Sequence, residues 1–115
     1  MTAPRLTDYV DHIHQAALEV MEFIQGMDRP TFMADRRTQH AVIRCLTIIG
    51  EAAMKIMDTH TEFTKKHPEV PWQRMRGMRN HMVHGYFDIN LDMVWDTVVE
   101  SIPALLEKLP PTTEA

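Results

Sequence analysis

The clearest helical pattern in the chain lies in residues 35–59, which read DRRTQHAVIRCLTIIGEAAMKIMDT. Apolar side chains recur there at three- and four-residue spacing, which is the period of one face of an α-helix. This stripe consists of Val42, Leu46, Ile49, Ala53 and Ile56, with Ile43 and Met57 widening it. We therefore predict one long helix over residues 35–59.

Gly50 lies inside this predicted helix. A glycine in a helix interior costs about 1 kcal/mol relative to alanine. Two interpretations are open. Either the missing side chain lets another helix approach closely, or the position simply tolerates glycine.

The residues before this helix predict another one, over residues 8–27, with Thr7 as its N-cap. Its apolar positions are Leu6, Tyr9, Val10, Ile13, Ala17, Val20 and Ile24. Residues 26–30 contain a glycine and a proline, and both disfavour the interior of a helix. We expect the first helix to break there.

The residues after the long helix predict a short turn of helix over residues 61–67 and a third helix over residues 71–84. Proline suits the first turn of a helix, where its missing N–H is harmless, so Pro71 is a suitable start. The core stripe of this helix is Met75, Met78 and Met82. Gly85 is well placed to end it.

The last predicted helix starts near Asn90, with Asp88 or Asn90 as its N-cap. Its buried face is predicted to be Leu91, Val94, Trp95, Val98, Ile102, Leu105 and Leu109. Pro103 removes the hydrogen bond to the carbonyl of Val99, so we expect a kink there. Pro110 should stop the helix.

These elements predict an all-α fold, an up-and-down bundle of four main helices with a kinked last helix. The 115 residues suit a single domain. We place this domain at residues 1–109 and expect residues 110–115 to form a disordered tail.

The composition bears on disulfide bonds, membrane segments and metal sites. Cys45 is the only cysteine, so no disulfide can form within the chain. No apolar run reaches membrane-spanning length and no signal peptide is visible, so we expect a soluble, cytoplasmic protein. The histidines His12, His14, His40, His60 and His67 show no metal-ligand spacing. We predict no metal and no cofactor.

The formal net charge of −4 argues mildly against a nucleic-acid binder. The positive residues are concentrated, however. Arg36, Arg37, His40 and Arg44 form one cluster, and Arg74, Arg76, Arg79, His81 and His84 form another. Local clusters of this kind matter more for binding than the sum of charges.

Residues 79–86, RNHMVHGY, carry the most informative chemistry. The planar guanidinium of Arg79 suits phosphate recognition, and the imidazole of His84 suits proton transfer near neutral pH. Chance gives about 0.5 R-x4-H pairs in such a chain, and Arg76 with His81 is a second one. Requiring a tyrosine two residues after the histidine lowers the chance to about 0.01, and only the register ending in Tyr86 satisfies it.

Helix geometry separates the two main residues of this motif. If the helix continues through His84, Arg79 lies about 140° away around its axis. Asn80 and His84 would share a face, with Arg76 one turn further back. Three arrangements remain open: Arg79 reaches around, the helix end distorts, or a second subunit completes the site.

The motif R-x4-H-x-Y resembles the signature of HepT-like toxins in the HEPN superfamily. Residues 44–53, RCLTIIGEAA, resemble the second-helix segment of that family, and residues 71–80, PWQRMRGMRN, resemble its lead-in to the motif. The continuation Phe87-Asp88 and the late Pro103 are also similar. The resemblance covers most of residues 5–109.

The resemblance implies a helical homodimer whose two motifs meet in a cleft at the dimer interface. It implies metal-independent endoribonuclease activity and a minimal nucleotidyltransferase antitoxin that silences the toxin by adenylylating Tyr86. It assigns Arg79 to phosphate stabilisation and His84 to catalysis, with Tyr86 completing the catalytic set. Asn80 matches the polar residue that often follows the motif arginine.

Several residues near the motif keep two interpretations. His81 is either a substrate contact or a solvated helix residue. Arg76, with Arg74, either extends the phosphate path or is surface charge.

Glu51 either lies near the cleft or pairs with a basic residue. The face formed by Arg36, His40 and Arg44 either holds RNA or an acidic partner, or is solvated. Trp72 and Trp95 either stack on bases or pack in the core, and their apolar-periodic positions favour packing.

Two functions from different classes follow. The first is the ribonuclease toxin. The second is a non-catalytic dimer that serves as a nucleotide- or partner-binding scaffold, which the net charge slightly favours. The grouping of Arg79, His84 and Tyr86 favours the enzyme, because a scaffold has no chemical need for all three. A plain structural bundle leaves that grouping without a cause.

Overall fold

The computed structural model describes residues 5–85 and 87–111. The helices in these residues are α1 (Leu6–Phe23), α2 (Arg29–Ala34), α3 (Arg36–Thr59), α4 (Thr61–Lys66), α5 (Trp72–His84), α6 (Leu91–Asp96) and α7 (Ile102–Lys108). A π-helical turn, Thr97–Ser101, joins α6 to α7. No strand occurs in the described residues, and the all-α prediction is confirmed.

The long helix α3 is the centre of the bundle. It packs against α1 on one side and against α5 on the other, and α7 closes against α1. The five residues of its predicted stripe are all fully buried. Together α1, α3, α5 and the continuous run from α6 to α7 are the four main helices that the sequence predicts.

The predicted bounds of α1 were wrong at both ends. The backbone N–H of Arg5 donates to the carboxylate of Asp8 at 2.9 Å, so the helix begins earlier, and Thr7 lies inside its first turn instead of capping it. At the other end, Gly26 has a φ of +77°. This left-handed conformation is incompatible with a continuing helix, so Met27 lies outside α1.

The short helix α2 was missed by the sequence analysis, which predicted only a break. The Asp28 carboxylate accepts hydrogen bonds from the backbone N–H of Thr31 at 3.0 Å and from its hydroxyl at 2.6 Å. Pro30 then occupies the first turn, where it is tolerated. The turn buries Phe32 completely.

Polar contacts attach α2 to its neighbours. The guanidinium of Arg29 donates to Asp92 and to Asp96, both at 2.6 Å, which fixes α2 to α6. These carboxylates raise the pKa of Arg29 above its ordinary value, mainly through the hydrogen bond to Asp96. The buried amide of Gln39 on α3 donates to the carbonyl oxygen of Phe32 at 2.8 Å.

The last helix starts near Asn90, as predicted, and it is irregular before Pro103, where a kink was predicted. Asn90 is the N-cap, not Asp88, and its side-chain oxygen accepts the backbone N–H of Met93 at 3.1 Å. Pro103 cannot donate a backbone hydrogen bond. The preceding turn, Thr97–Ser101, widens from α to π geometry.

Both tryptophans and Cys45 are buried. Trp72 and Trp95 are each 7% exposed in the core, so core packing, and not base stacking, is their role in the chain. Burial raises the pKa of the Cys45 thiol to about 11, with a further contribution from the nearby Glu19 carboxylate. The thiol is therefore neutral at physiological pH.

No helix in residues 5–85 or 87–111 is long and apolar enough to cross a membrane. Residues 112–115 of the predicted tail lie outside the described residues, and the domain limits stay a prediction.

Candidate active site

Helix α5 carries all but the last residue of the Arg-His-Tyr motif. It is a regular α-helix through His84, and the backbone N–H of Gly85 donates to the carbonyl oxygen of His81 at 2.9 Å. Gly85 ends the helix, as predicted. Tyr86 lies outside the described residues.

Helices α3 and α5 are in close contact at Gly50. A Cβ atom added there would overlap the Cβ of Arg79, and it would lie 2.9 Å from the carbonyl oxygen of Met75. The first interpretation of Gly50 is therefore confirmed, because any side chain would push the two helices apart. Glycine at this position places the backbone of Arg79 directly against α3.

The guanidinium of Arg79 is held by two neighbouring side chains. Its Nε donates to Oε1 of Glu51 at 2.5 Å, and its Nη1 donates to Oδ1 of Asn80 at 3.0 Å. The Arg79 side chain is 21% exposed and that of Glu51 is 42% exposed. The interpretation of Glu51 as a partner for a basic residue is confirmed.

His84 lies at the exposed C-terminal end of α5, and Asn80 is exposed one turn before it. No hydrogen bond joins Arg79 to His84 within the part of the chain that the structure describes. Because α5 stays regular, the two residues point about 140° apart. Distortion of the helix before His84 does not occur, and Arg79 is held on α3 instead of reaching around α5. Completion of the site by a second subunit stays a prediction.

Arg76 makes a second ion pair between α5 and α3. Its Nη2 donates to Oδ1 of Asp58 at 3.0 Å, and the two side chains are 33% and 59% exposed. Asp58 was not among the predicted site residues. Its spacing gave no signal, because Asp58 follows Glu51 by about two helical turns whereas Arg76 precedes Arg79 by only about one.

His81 lies on another face of α5. It is half-buried, and its Nε2 accepts the backbone N–H of Asn90 at 3.4 Å. Together with Arg74, it borders a cavity of about 630 Å³ between α5 and the last helix. The apolar part of the cavity wall includes Met75, Met78, Met93, Ile102 and Leu105, and its polar part includes Asp92, Asp96 and Glu100. The structure therefore does not bring His81 together with Asn80 and His84.

A second, shallow cavity of about 270 Å³ lies between α1 and α3. Glu51 borders it, so the Arg79–Glu51 ion pair is adjacent to it. Two cations, Arg44 and Lys55, line the same cavity with Tyr9 and His12. The wall of this cavity thus combines two cationic side chains with the carboxylate that holds Arg79.

No group of three or more His, Cys, Asp or Glu side chains able to hold a metal ion occurs in residues 5–85 and 87–111.

Comparison with known proteins identifies the family. Residues 13–111 match the family described as "Ribonuclease HepT-like", so the chain belongs to this family. It is 41% identical over 101 residues to a probable ribonuclease HepT of Thermococcus cleftensis, covering 88% of this chain and 89% of that protein. It is 36% identical over 105 residues to a putative RNase of Caldanaerobacter subterraneus subsp. tengcongensis, covering 91% and 89%. No solved structure matches the chain.

Proposed function

We propose that the protein is a metal-independent endoribonuclease toxin that works as a homodimer. We further propose that a minimal nucleotidyltransferase antitoxin silences it by adenylylating Tyr86. The observation that carries the proposal is the arrangement of α5, which holds a guanidinium on one face and presents an exposed imidazole on another. These are the two groups that metal-free RNA cleavage needs, and the chain belongs to a ribonuclease family.

In the proposed reaction, His84 takes the proton of a ribose 2′-hydroxyl, and the 2′-oxygen attacks the adjacent phosphorus. Arg79 stabilises the negative charge that develops on the phosphorane. The bond to the 5′-oxygen then breaks, and protonated His84 returns its proton to that oxygen. The products are a 2′,3′-cyclic phosphate and a free 5′-hydroxyl.

The angle between the two residues supports the homodimer. On a regular helix Arg79 and His84 of one subunit point about 140° apart, which disfavours contact with the same phosphate. In the proposed dimer, α5 of the second subunit packs nearby, so that Arg79 of one subunit and His84 of the other face the same phosphate. Asn80, which shares a face with His84, is a substrate contact in this proposal, and Arg76 and His81 stay predicted substrate contacts.

The experiment for this proposal combines intact mass with RNA cleavage in the presence of a chelator. The protein is expressed alone and together with a minimal nucleotidyltransferase. We expect a mass gain in whole adenylyl units in the co-expressed sample, absent from Tyr86→Phe, and cleavage only by the unmodified protein. A well-folded dimer that shows neither mass gain nor cleavage would support the non-catalytic scaffold instead.

We also propose that Arg44 and Lys55 contact RNA phosphates along the cavity between α1 and α3. Each phosphate contact on a single strand contributes about 0.7 to the slope of log affinity against log salt. In a His84→Ala background, which leaves RNA uncleaved, Arg44→Ala with Lys55→Ala should weaken binding and reduce that slope by about 1.4.

The matched control for this binding measurement is Lys65→Ala with Lys66→Ala on α4. It also removes two positive charges, but from exposed residues that do not line the cavity. If the slope of log affinity against log salt falls equally in both double variants, the effect comes from net charge. The proposed contacts of Arg44 and Lys55 with RNA phosphates are then wrong.

A further inference from the structure

Glu51 makes the shortest polar contact of the site, and the proposed chemistry gives it no role. From α3, its carboxylate accepts the Nε–H of Arg79 on α5. The contact lies beside Gly50, where the two helices are in close contact. Glu51 also lines the cavity between α1 and α3, and its side chain is 42% exposed, against 21% for Arg79. The contact is therefore partly open to solvent.

The guanidinium keeps enough donors for a substrate after these contacts. An arginine side chain has five N–H donors. Glu51 takes the Nε–H and Asn80 takes one on Nη1. The other donors, one on Nη1 and two on Nη2, have no acceptor among the described residues. They can form the paired contact that a phosphate accepts.

Holding the guanidinium in advance favours catalysis. A free arginine side chain loses rotamer freedom when it binds, and that loss opposes transition-state stabilisation. A guanidinium already fixed at two nitrogens stabilises developing charge without further reorganisation. We propose that Glu51 is a positioning residue, which orients the guanidinium of Arg79 toward the scissile phosphate. This inference rests on the proposed ribonuclease function.

The chain offers a matched comparison for this role. The Asp58–Arg76 pair also joins α3 to α5, two helical turns along α3, and is likewise partly exposed. If Glu51 only held the two helices together, removing either carboxylate would have the same consequence. If Glu51 acts through Arg79, only its removal slows the chemical step.

The test measures kcat and KM for metal-free cleavage of a short RNA, together with Tm, for three variants. Glu51→Ala should lower kcat by about 10²-fold, the cost of a small misplacement of a catalytic group, with a much smaller change in KM. Glu51→Gln should restore most of kcat, because its amide oxygen can accept the same N–H. Asp58→Ala should leave kcat unchanged, and an effect through Arg76, a predicted substrate contact, should fall on KM.

A second background separates positioning from stability. In Arg79→Lys, which lacks the guanidinium fork, Glu51→Ala should cause no further loss of kcat. Equal losses of kcat in the wild-type and Arg79→Lys backgrounds would overturn the inference. So would equal losses from Glu51→Ala and Asp58→Ala, or full activity of Glu51→Ala beside an active wild-type protein. An inactive wild-type protein would refute the proposed function itself and this inference with it.

Discussion

His84→Ala should abolish detectable RNA cleavage while leaving the fold intact. A positioned general acid–base contributes about 10²–10⁴-fold to such a reaction, and in the proposed reaction one imidazole serves both proton transfers. The side chain is exposed at the end of α5, so its removal leaves no cavity in the core. The measurement is the initial rate of cleavage in the presence of a chelator, with the thermal unfolding midpoint recorded for the same samples.

The control is His67→Ala, which removes an imidazole from the loop after α4. His67 is half-buried. Its Nδ1 lies 3.2 Å from Oε2 of Glu69, and its ring packs on Phe63 with 4.5 Å between the ring centroids. Neither contact involves Arg79 or His84. This variant should cleave RNA at the wild-type rate. A His84→Ala protein that cleaves as fast as the wild type would remove His84 from the mechanism and with it the proposed reaction.

Gly50→Ala should destabilise the protein and impair cleavage together. The added methyl group overlaps Arg79 and crowds the carbonyl of Met75, so α3 and α5 must separate. Such overpacking costs about 1–3 kcal/mol in the free energy of unfolding. Because the same separation displaces Arg79, we expect a lower cleavage rate at temperatures where the variant is still folded. Thermal or urea unfolding and the cleavage assay measure the two effects.

The same substitution at Gly77 is the matched control. Gly77 lies within α5, and a Cβ added there meets no atom within 4 Å. Gly77→Ala should therefore stabilise the protein by about 0.5–1 kcal/mol, because alanine favours the helix. Opposite signs at the two glycines would establish the close approach. A neutral Gly50→Ala would show that the helices have room to adjust.

The long helices could be predicted from the sequence because burial imposes a period on them. The stripe of α3 is uninterrupted, and every residue in it is buried. The N-terminal limit of α1 and the existence of α2 depend instead on which side chain accepts a particular backbone N–H. Asp8 and Asp28 take those bonds, and periodicity carries no information about that competition.

The candidate site divides in the same way. The motif and its resemblance singled out Arg79 and His84, and helix geometry correctly separated them around α5. The partner of Arg79 could be predicted only as a type of contact, because it depends on how α5 is aligned along α3. Glu51 and Asp58 became identifiable when the tertiary packing placed them opposite Arg79 and Arg76.

The two ion pairs between α3 and α5, with the glycine contact beside them, also restrict how the protein can be switched. A slide of α5 by one helical turn, about 5.4 Å, would break both pairs at once and place a bulkier residue than Gly50 against Arg79. One-turn ratchets of this kind occur in some allosteric proteins, and this alignment opposes one here. We therefore expect the proposed adenylylation, beyond the end of α5, to act without sliding these helices.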